Sequence, residues 1–259
     1  MNDAIQDPTL LRIRERIRNE IDPGYEFISP GPLPWCPASP SLRESPVALV
    51  TSAGLHLKGD APFRALEDPL GDTTFRVIPN GTPSTRLDLA APYVDQRLIP
   101  QDIEVALPMA ALEALHRKGL SGPPSRRHAS FCGGIVRALP GLEESAEQLS
   151  ALLREDGAAS VILLPSCSLC VQTVCIVARG LERRGFPTVC VTLIPELSRI
   201  VGAPRTLAVR FRFGAPCGDP GNAPLHRAVL GEALELLQQA EGPGTLIESR
   251  FRWRETPVE

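Results

Sequence analysis

The sequence has few aromatic residues, almost no excess charge and no long apolar run. Aromatic residues make up 5% of the 259 residues, so we expect a core built from aliphatic side chains. The net charge of −3 at pH 7 gives no electrostatic reason to expect binding to nucleic acid or to an anionic membrane. No apolar run reaches the roughly 18 residues that a membrane-spanning helix needs. We therefore expect no nucleic-acid partner and no membrane association.

The N-terminus lacks the basic and apolar segments of a secretory signal peptide and carries Asp3 and Asp7 instead. Seven cysteines are too few for a disulfide scaffold at this length, and an odd number leaves at least one unpaired. We therefore expect a cytoplasmic protein. Its cysteines should be mostly free thiols, because the cytosol is reducing. Any disulfide in such a protein would be transient and catalytic.

The most informative segment is an apolar run that leads into two cysteines and a helix. Residues 161–164 are all apolar, which favours a strand covered on both faces. Ser166 or Ser168 can cap a helix that runs to about Gly185. The segment therefore predicts a strand-to-helix turn at the end of a parallel strand, where α/β proteins bind ligands.

Cys167 and Cys170 occupy the start of that helix, where unpaired N–H groups and the helix dipole favour a thiolate over a thiol. Their spacing lets one thiolate attack while the other, one turn further on, resolves the adduct. Two alternatives remain open. The cysteines could be small residues that pack a helix start, or half of a zinc site with His128 and Cys132 as the nearest further ligands.

Strands alternate with helices in the second half of the chain, which predicts an α/β fold with a doubly wound, mostly parallel sheet. The turn at Thr51–Gly54 is similar to the turn at Cys167, so we expect two similar Rossmann-like halves. The expected divisions are an N-terminal helix and proline-rich arm (1–46), a first half (47–140), a second half carrying Cys-x-x-Cys (141–242) and a polar tail (243–259). Strands are predicted at 47–50, 75–78, 103–107, 161–164, 188–194 and 206–213, and helices at 8–21, 109–118, 142–155, 195–201 and 224–239.

The four histidines fall into two pairs. His56 and His128 are predicted in turns beside glycines, where either could act as an acid or base near neutral pH. The alternative for each is a loop histidine with no catalytic role. His116 and His226 are predicted to be surface residues of helices.

Other polar and sulfur-containing residues are less specific. Asp72 and Arg76 lie near a strand entry and, taken alone, indicate only an exposed ion pair. Cys175 and Cys190 fall inside a predicted helix and strand, where free cysteine behaves as a small hydrophobic residue. The sequence indicates no role for the three other cysteines: Cys36, Cys132 and Cys217.

Several of these pieces together resemble the family of component B of glycine, sarcosine and betaine reductases, which also includes the selenoprotein subunit of D-proline reductase. The matching segments are Val47–His56, Gly71–Pro79, Thr82-Pro83, Gln101–Ile103, Arg127–Gly133, the strand-to-cysteine turn at 160–170, Gly185–Thr188 and Gly218–Pro220. They occur in the family's order over most of the chain, from about residue 47 to 235.

The resemblance implies roles for the cysteine pair. In that family the first position of the motif is commonly selenocysteine, which attacks a substrate carbon, expels an amine and is regenerated by a thiol or a partner reductase. Cys167 occupies that position and Cys170 the resolving position. This chain has cysteine there, and Leu89-Ala-Ala91 stands where relatives tend to carry a histidine. The proline and glycine enzymes also use a pyruvoyl-bearing partner subunit, and this sequence does not identify one.

The sequence thus predicts a thiol-dependent reductase that cleaves a C–N or C–S bond of a small, amino-acid-like substrate. Cys167 would be the nucleophile and Cys170 the resolving thiol, with His128 or His56 protonating the leaving group. The predicted substrate-binding residues are Arg76, which would hold a carboxylate, with Asp72 and Ser166. We expect no bound cofactor or metal, a dithiol or thioredoxin-like electron donor, and a homo-oligomer or a complex with a partner reductase subunit.

Two other classes compete with this prediction. The chain could be a non-catalytic redox or zinc-binding subunit of a larger reductase complex, with the helix at 8–21 and the proline-rich arm as docking elements. It could also be a racemase-like enzyme with one cysteine from each half, although the first half's turn carries Ser52 instead.

Overall fold

Buried apolar strands form the centre of the protein, which is described at residues 5–39, 43–90 and 97–257 by a computed structural model. The strands are β1 (Val47–Thr51), β2 (Leu55–Leu57), β3 (Phe75–Pro79), β4 (Leu87–Leu89), β5 (Arg127–Phe131), β6 (Ser160–Leu164), β7 (Thr188–Thr192), β8 (Arg205–Ala208) and β9 (Thr245–Glu248). The helices are α1 (Pro8–Glu20), α2 (Met109–Arg117), α3 (Gly141–Glu155), α4 (Ser168–Glu182), α5 (Pro195–Val201) and α6 (Ala223–Gln239).

The main sheet has seven strands within the described ranges, in the order β3-β5-β1-β6-β7-β8-β9. All neighbouring pairs are parallel except β3 with β5. Every residue of β1, β6 and β7 is buried, as a sheet covered on both faces requires. Strands β2 and β4 form a separate antiparallel pair. The predicted α/β class and mostly parallel sheet are confirmed.

The helices form two groups. Helices α3, α4 and α5 contact one another in series, while α2 contacts α6. Right-handed crossovers between parallel strands place such groups on opposite faces of a sheet, which gives the doubly wound layout. The two predicted halves, residues 47–140 and 141–242, both contribute strands to this sheet. The division into two similar halves stays a prediction.

The direction in which successive strands are added reverses between β1 and β6, which are direct neighbours; such a place is called a switch point. The parallel strand after β1, which is β5, lies on one side of this pair, and β7, the strand after β6, lies on the other. In open sheets, ligands bind at the carboxyl ends of the two strands where the order reverses. The crevice beyond Thr51 of β1 and Leu164 of β6 is therefore the expected site.

The predicted N-terminal helix is confirmed at Pro8–Glu20. Asp7 caps it by accepting hydrogen bonds from the N–H groups of Thr9 and Leu10, both at 2.9 Å. Leu10 and Ile17 are its buried residues. The helix therefore contributes one apolar face to the core.

The predicted strand at 103–107 is wrong. Residues Ile103–Val105 form a 3-10 turn, because the Asp102 carboxylate accepts a hydrogen bond from the Glu104 N–H at 3.0 Å. The Glu104 carboxylate in turn accepts from the N–H groups of Ala110 and Ala111, at 2.9 Å each. These side chains close a turn and start α2, so the backbone is not available to a strand ladder.

Other boundaries also differ from prediction. The strand predicted at 206–213 ends at Ala208, and the helix predicted to reach Gly185 ends at Glu182. The range 243–259, predicted as a polar tail, contains β9, which pairs in parallel with β8. Backbone pairing at the sheet edge outweighs the polar composition of this segment.

The proline-rich arm, where it is described, lies over helix α4 without forming a helix. Gln172 Oε1 accepts a hydrogen bond from the Ile28 N–H at 3.0 Å. Arg179 donates through Nη2 to the carbonyl oxygens of residues 30–32 at 2.7–3.2 Å and through Nη1 to Gly202 O at 3.1 Å. The arm is thus anchored by buried polar side chains of α4.

A buried ion pair anchors the arm a second time. Glu182 and Arg205 have fully buried side chains and lie 2.7 Å apart. Glu182 also accepts from the Cys36 N–H, Arg205 donates to Cys36 O at 2.7 Å, and its guanidinium carbon lies 3.6 Å from the Trp35 ring centroid. Burial raises the pKa of Glu182 and lowers that of Arg205. Each charge is therefore costly here without its partner.

We expect Glu182→Gln to destabilise the protein by about 3 kcal/mol or more, because it leaves the Arg205 charge buried and unpaired. The matched control is Glu143→Gln, which removes the partly exposed ion pair with Arg183 and should cost about 1 kcal/mol or less. Urea unfolding with a common slope measures both. Equal losses for the two variants would contradict the buried anchor.

No helix in residues 5–39, 43–90 and 97–257 is long and apolar enough to cross a membrane.

Candidate active site

The cysteine pair lies at the switch point, where β6 ends and α4 begins. Cys167 is the N-cap residue of α4, and its Sγ accepts a hydrogen bond from the Cys170 N–H at 3.2 Å. The predicted caps, Ser166 and Ser168, do not hold this position. The Cα atoms of the two cysteines lie 4.8 Å apart and their sulfurs are paired as a disulfide. The sulfur atom of Cys167 therefore occupies the anion-favouring end of the helix.

The two cysteines differ in their access to solvent. Cys167 is 5% exposed, whereas Cys170 is fully buried. A reagent or substrate from solvent would therefore meet Cys167 first.

The carboxyl end of β1 forms the opposite wall of the crevice. Cys170 Sγ lies 3.6 Å from Ser52 O, and the Gly133 N–H donates to the same carbonyl at 3.1 Å. A Cβ atom at position 133 would overlap Cys170 Sγ. Glycine is required here because the backbone after β5 packs directly against the buried sulfur.

Ser166 has an unused hydroxyl at the same place. Its N–H donates to Ser52 Oγ at 3.3 Å, and its carbonyl accepts from the Gly214 N–H at 2.7 Å. The Ser166 Oγ atom itself is buried and has no hydrogen-bond partner among the described residues. An unsatisfied buried hydroxyl is costly, so it is a candidate for binding a polar group of a ligand.

His56 lies in strand β2 and not in the turn predicted for it, and β2 follows the β1 turn directly. The ring is buried, packs edge-on against Phe63 at 6.1 Å between centroids, and places Nδ1 3.4 Å from Gly54 O. The guanidinium carbon of Arg76 lies 4.4 Å from the same Phe63 ring centroid. The structure thus brings His56 and Arg76 together around one aromatic ring.

Arg76 is held by this chain on several sides. Its Nε donates to Ala61 O at 2.8 Å, Nη2 to Pro62 O at 3.0 Å, and Nη1 to Thr74 Oγ1 at 2.9 Å. An oxygen of Asp72 lies 3.9 Å from Nη2. These contacts fix the guanidinium in position and use donors that a substrate carboxylate would need.

Asp72 organises the loop that carries Arg76. Its carboxylate accepts hydrogen bonds from the N–H groups of Arg64 and Thr74, at 3.0 and 2.9 Å, and from the Thr74 hydroxyl at 2.5 Å. Burial works to raise the pKa of Asp72, but these hydrogen bonds together hold it below its ordinary value. Asp72 is therefore a buried carboxylate and not the exposed ion-pair partner that the sequence indicated.

Cys132 is a third sulfur near this wall. It directly precedes Gly133, is buried, and places Sγ 2.9 Å from Ala90 O. Burial raises its pKa to about 12, and the Asp72 charge adds to the effect. Cys132 is therefore a protonated thiol at neutral pH. The Leu89-Ala-Ala91 segment adjoins it, and its last residue lies outside the described residues.

His128 lies inside strand β5 and not in a turn. Its Nδ1 accepts a hydrogen bond from the Leu49 N–H at 3.1 Å, so the neutral ring carries its proton on Nε2, 3.1 Å from Asn80 Oδ1. Burial lowers its pKa to about 4. Leu49 precedes the carboxyl end of β1, so the structure does not bring His128 to the cysteine pair.

Within the described part of the chain, the hydrogen bonds of His226, Cys175 and Cys190 go to partners other than the cysteine pair. His226 is buried, with Nε2 3.0 Å from Asp219 O, so its prediction as a surface residue is wrong. Cys175 and Cys190 are core residues, as predicted. Among the described residues, no three His, Cys, Asp or Glu side chains are grouped as a metal site would need.

The chain has homologues that are subunits of reductases or of reductase complexes. It is 28% identical over 243 residues to D-proline reductase subunit gamma of Acetoanaerobium sticklandii, covering 94% of this chain and 97% of that protein. It is 25% identical over 236 residues to glycine reductase complex component B subunit gamma of Peptoclostridium acidaminophilum, covering 88% of this chain and 52% of that protein.

It is also 25% identical over 226 residues to sarcosine reductase complex component B subunit beta of the same organism, covering 83% of this chain and 50% of that subunit. The chain therefore spans about half the length of these component B subunits. No family model and no solved structure matches the chain. The resemblance inferred from the sequence is confirmed: the D-proline reductase gamma subunit and the component B subunits are homologues of this chain.

Sequence reasoning missed three features of the site. The N-cap role of Cys167 and the unsatisfied hydroxyl of Ser166 depend on atomic geometry that residue spacing does not reveal. The contact of Gly133 with Cys170 joins segments far apart in the chain. The adjacent glycines at 133 and 134 after an apolar strand were a usable signal, since glycine there often marks a close backbone approach.

We expect Gly133→Ala to destabilise the protein by about 2 kcal/mol or more, because the added methyl group overlaps Cys170 Sγ. Gly231→Ala is the matched control: this glycine lies within helix α6 with open space around it, so alanine should stabilise by about 0.5–1 kcal/mol. Thermal or urea unfolding of both variants measures these changes in stability. A neutral or stabilising effect at position 133 would contradict the packing described.

We expect His128 to make stability fall on acidification. The unfolded ring, with a pKa of about 6.5, binds a proton before the folded ring, with a pKa of about 4. Stability is then lost as pH falls through this window, by about 2 kcal/mol between about pH 7.5 and pH 5. Urea unfolding at the two pH values measures the loss. His128→Gln, which cannot titrate, should lose about 2 kcal/mol less over the same interval, and an unchanged pH dependence would show the assignment to be wrong.

Proposed function

We propose that the chain is a thiol-dependent reductase subunit that cleaves a C–N or C–S bond of a small, amino-acid-like substrate. The observation that carries the proposal is the position of the Cys167–Cys170 pair at the start of α4, beside the β1–β6 switch point, with Cys167 the more exposed of the two. The reductase names of the homologues support the same class of reaction.

The proposed reaction balances with the two thiols as reductant. The Cys167 thiolate attacks the substrate carbon, a C–S bond forms, the bond to the leaving group breaks, and that group leaves with a proton. The Cys170 thiolate then attacks the Cys167 sulfur and forms the disulfide. The electron pair of the new C–S bond passes to carbon, which takes a proton. A dithiol donor reduces the disulfide and completes the cycle.

These steps restrict the substrate. Carbon must leave sulfur with an electron pair, so it needs a neighbouring carboxyl or carbonyl group that withdraws the charge. An α-amino acid or a related molecule has such a group. Ser166 Oγ and the N-terminus of α4 are the proposed contacts for its carboxylate, because the hydroxyl is unsatisfied within the described residues and the helix end favours anions.

His56 is the proposed proton donor to the leaving group. It lies just beyond the β1 turn that forms one wall of the crevice, whereas both ring nitrogens of His128 are engaged inside the sheet. Arg76 and Asp72 are proposed to hold the wall around Phe63 and so to affect substrate binding indirectly. This replaces the direct carboxylate contact expected of Arg76.

A non-catalytic redox subunit is the second candidate, favoured by the names of the homologues, which are subunits of larger complexes. We propose a hetero-complex in the cytoplasm for this chain in either case. The zinc-binding version has less support, because the described residues offer no group of three ligands that includes the cysteine pair.

We expect Cys167 to be alkylated at about pH 6 at least about ten times faster than Cys36 after mild reduction, because the helix start favours its thiolate. Peptide mass spectrometry gives the rate at each cysteine. In Cys170→Ser, Cys167 should hold a stable mixed disulfide with glutathione, since the resolving thiol is missing.

Cys167→Ser is the matched variant and should leave Cys170 without a mixed disulfide, because that residue is fully buried. Cys36→Ser should change neither result. The proposal fails if Cys167 reacts no faster than Cys36. It also fails if Cys170 in Cys167→Ser forms the mixed disulfide as readily as Cys167 does in Cys170→Ser.

A further inference from the structure

Two short segments alternate arginine with aromatic residues and lie next to each other. They are Arg210–Phe213, which follows β8, and Arg250–Arg254, which follows β9. The ring centroids of Phe211 and Trp253 lie 6.1 Å apart, and the Arg212 guanidinium carbon lies 5.4 Å from the Trp253 ring centroid. We call these two segments the arginine–aromatic surface.

The surface is exposed and keeps an excess of arginine. The two segments contain five arginines and no acidic residue. Arg210 is ion-paired with Glu248 at 2.8 Å and Arg250 with Glu232 at 2.9 Å, and the Glu255 carboxylate accepts from the backbone N–H of Arg252 at 2.8 Å. Arg212, Arg252 and Arg254 are exposed and have no carboxylate side chain as an ion-pair partner among the described residues. Phe213 is 42% exposed, which is unusual for a large apolar side chain. Exposed arginine and aromatic residues together are typical of protein interfaces, where they supply most of the binding energy.

Phe211, Phe251 and Trp253 pack against the core, but two details of the same segments are unfavourable for stability. Arg254 has a φ of 63°, a left-handed conformation that glycine adopts more easily than arginine. Trp253 Nε1 is buried and has no hydrogen-bond partner within the described part of the chain. Both features cost stability in the isolated chain, and such costs are found where a segment has a functional role.

The surface lies on the same edge of the sheet as the cysteine pair. Both segments follow the carboxyl ends of their strands, and the Gly214 N–H, next to Phe213, donates to Ser166 O at 2.7 Å. From the strand spacing, β8 lies roughly 10 Å and β9 roughly 14 Å from β6. An ordinary protein interface covers about 800 Å² on each partner, which is enough to include both Cys167 and this surface.

We infer that the arginine–aromatic surface docks an acidic dithiol protein, the electron donor that reduces the Cys167–Cys170 disulfide. This inference rests on the proposed function, since it requires that the pair cycles between dithiol and disulfide. The donor's thiolate attacks the more exposed sulfur, that of Cys167. Cys170 leaves as a thiolate and takes a proton, and the donor's second thiol then forms the donor disulfide. Opposite charge steers the donor to this edge.

The test compares two reductants of the oxidised protein, a reduced acidic thioredoxin and dithiothreitol. The variant Arg212→Ser with Arg254→Gly removes two positive charges, and glycine suits the φ at position 254. The matched control, Arg12→Ser with Arg117→Ser, removes two exposed arginines, one in α1 and one at the end of α2. Rates come from alkylation of the released thiols, measured at about 20 mM and about 300 mM salt.

We expect the surface variant to be reduced by thioredoxin about ten times more slowly than the wild type at low salt. The control should be unchanged, dithiothreitol should reduce all three proteins equally, and high salt should remove the difference.

Three outcomes would overturn the inference. An equal thioredoxin rate for variant and wild type, with normal reduction by dithiothreitol, overturns the docking surface but leaves the proposed function standing. If neither reductant opens the disulfide, the redox function fails and the docking inference falls with it. Tighter binding of single-stranded RNA than of thioredoxin, lost in the surface variant, overturns the inference in favour of nucleic acid.

Discussion

Burial of helix α4 is the constraint on which both the arm and the cysteine pair depend. From Leu169 to Glu182 every residue of this helix is buried, including Gln172, Arg179 and Glu182, whose polar side chains need partners. The arm supplies partners to all three, while Gly202 O also accepts from Arg179, and Thr188 and Arg205 also donate to Glu182. The proline-rich arm is therefore ordered because it completes the hydrogen bonding of polar groups that α4 buries.

The same burial determines what the two cysteines can do. Cys170 is inside the first turn of α4 and packs against Ser52 and Gly133, so it is closed to solvent. Cys167, as the N-cap, lies just outside the helix and remains slightly exposed. One turn of helix thus separates a cysteine that can meet other molecules from one that can react only with its neighbour. That asymmetry is what a nucleophile and a resolving thiol require.

Most of the fold could be predicted from the sequence, because apolar strand runs and helical periodicity are local signals. The strand-to-cysteine turn at 161–170 was predictable for that reason. The turn at Ile103–Val105 was not, since side-chain hydrogen bonds from Asp102 and Glu104 override a strand-like composition. His128 was predicted in a turn because glycines follow it closely in the sequence. Its ring is hydrogen-bonded at both nitrogens by partners distant in sequence, the Leu49 N–H and Asn80 Oδ1. Local sequence patterns carry no information about such long-range partners.

Access through a single cysteine also orders the proposed cycle. Substrate must approach Cys167 to form the C–S bond, and the electron donor must approach the same atom to open the disulfide, because Cys170 is buried. The two cannot occupy the β1–β6 crevice together. A donor that docks largely outside the crevice, at the ends of β8 and β9, could be held strongly by charge and still release the crevice after electron transfer. Affinity for the donor and access for the substrate are then set by different residues. A substitution can change the donor affinity without closing the crevice to substrate.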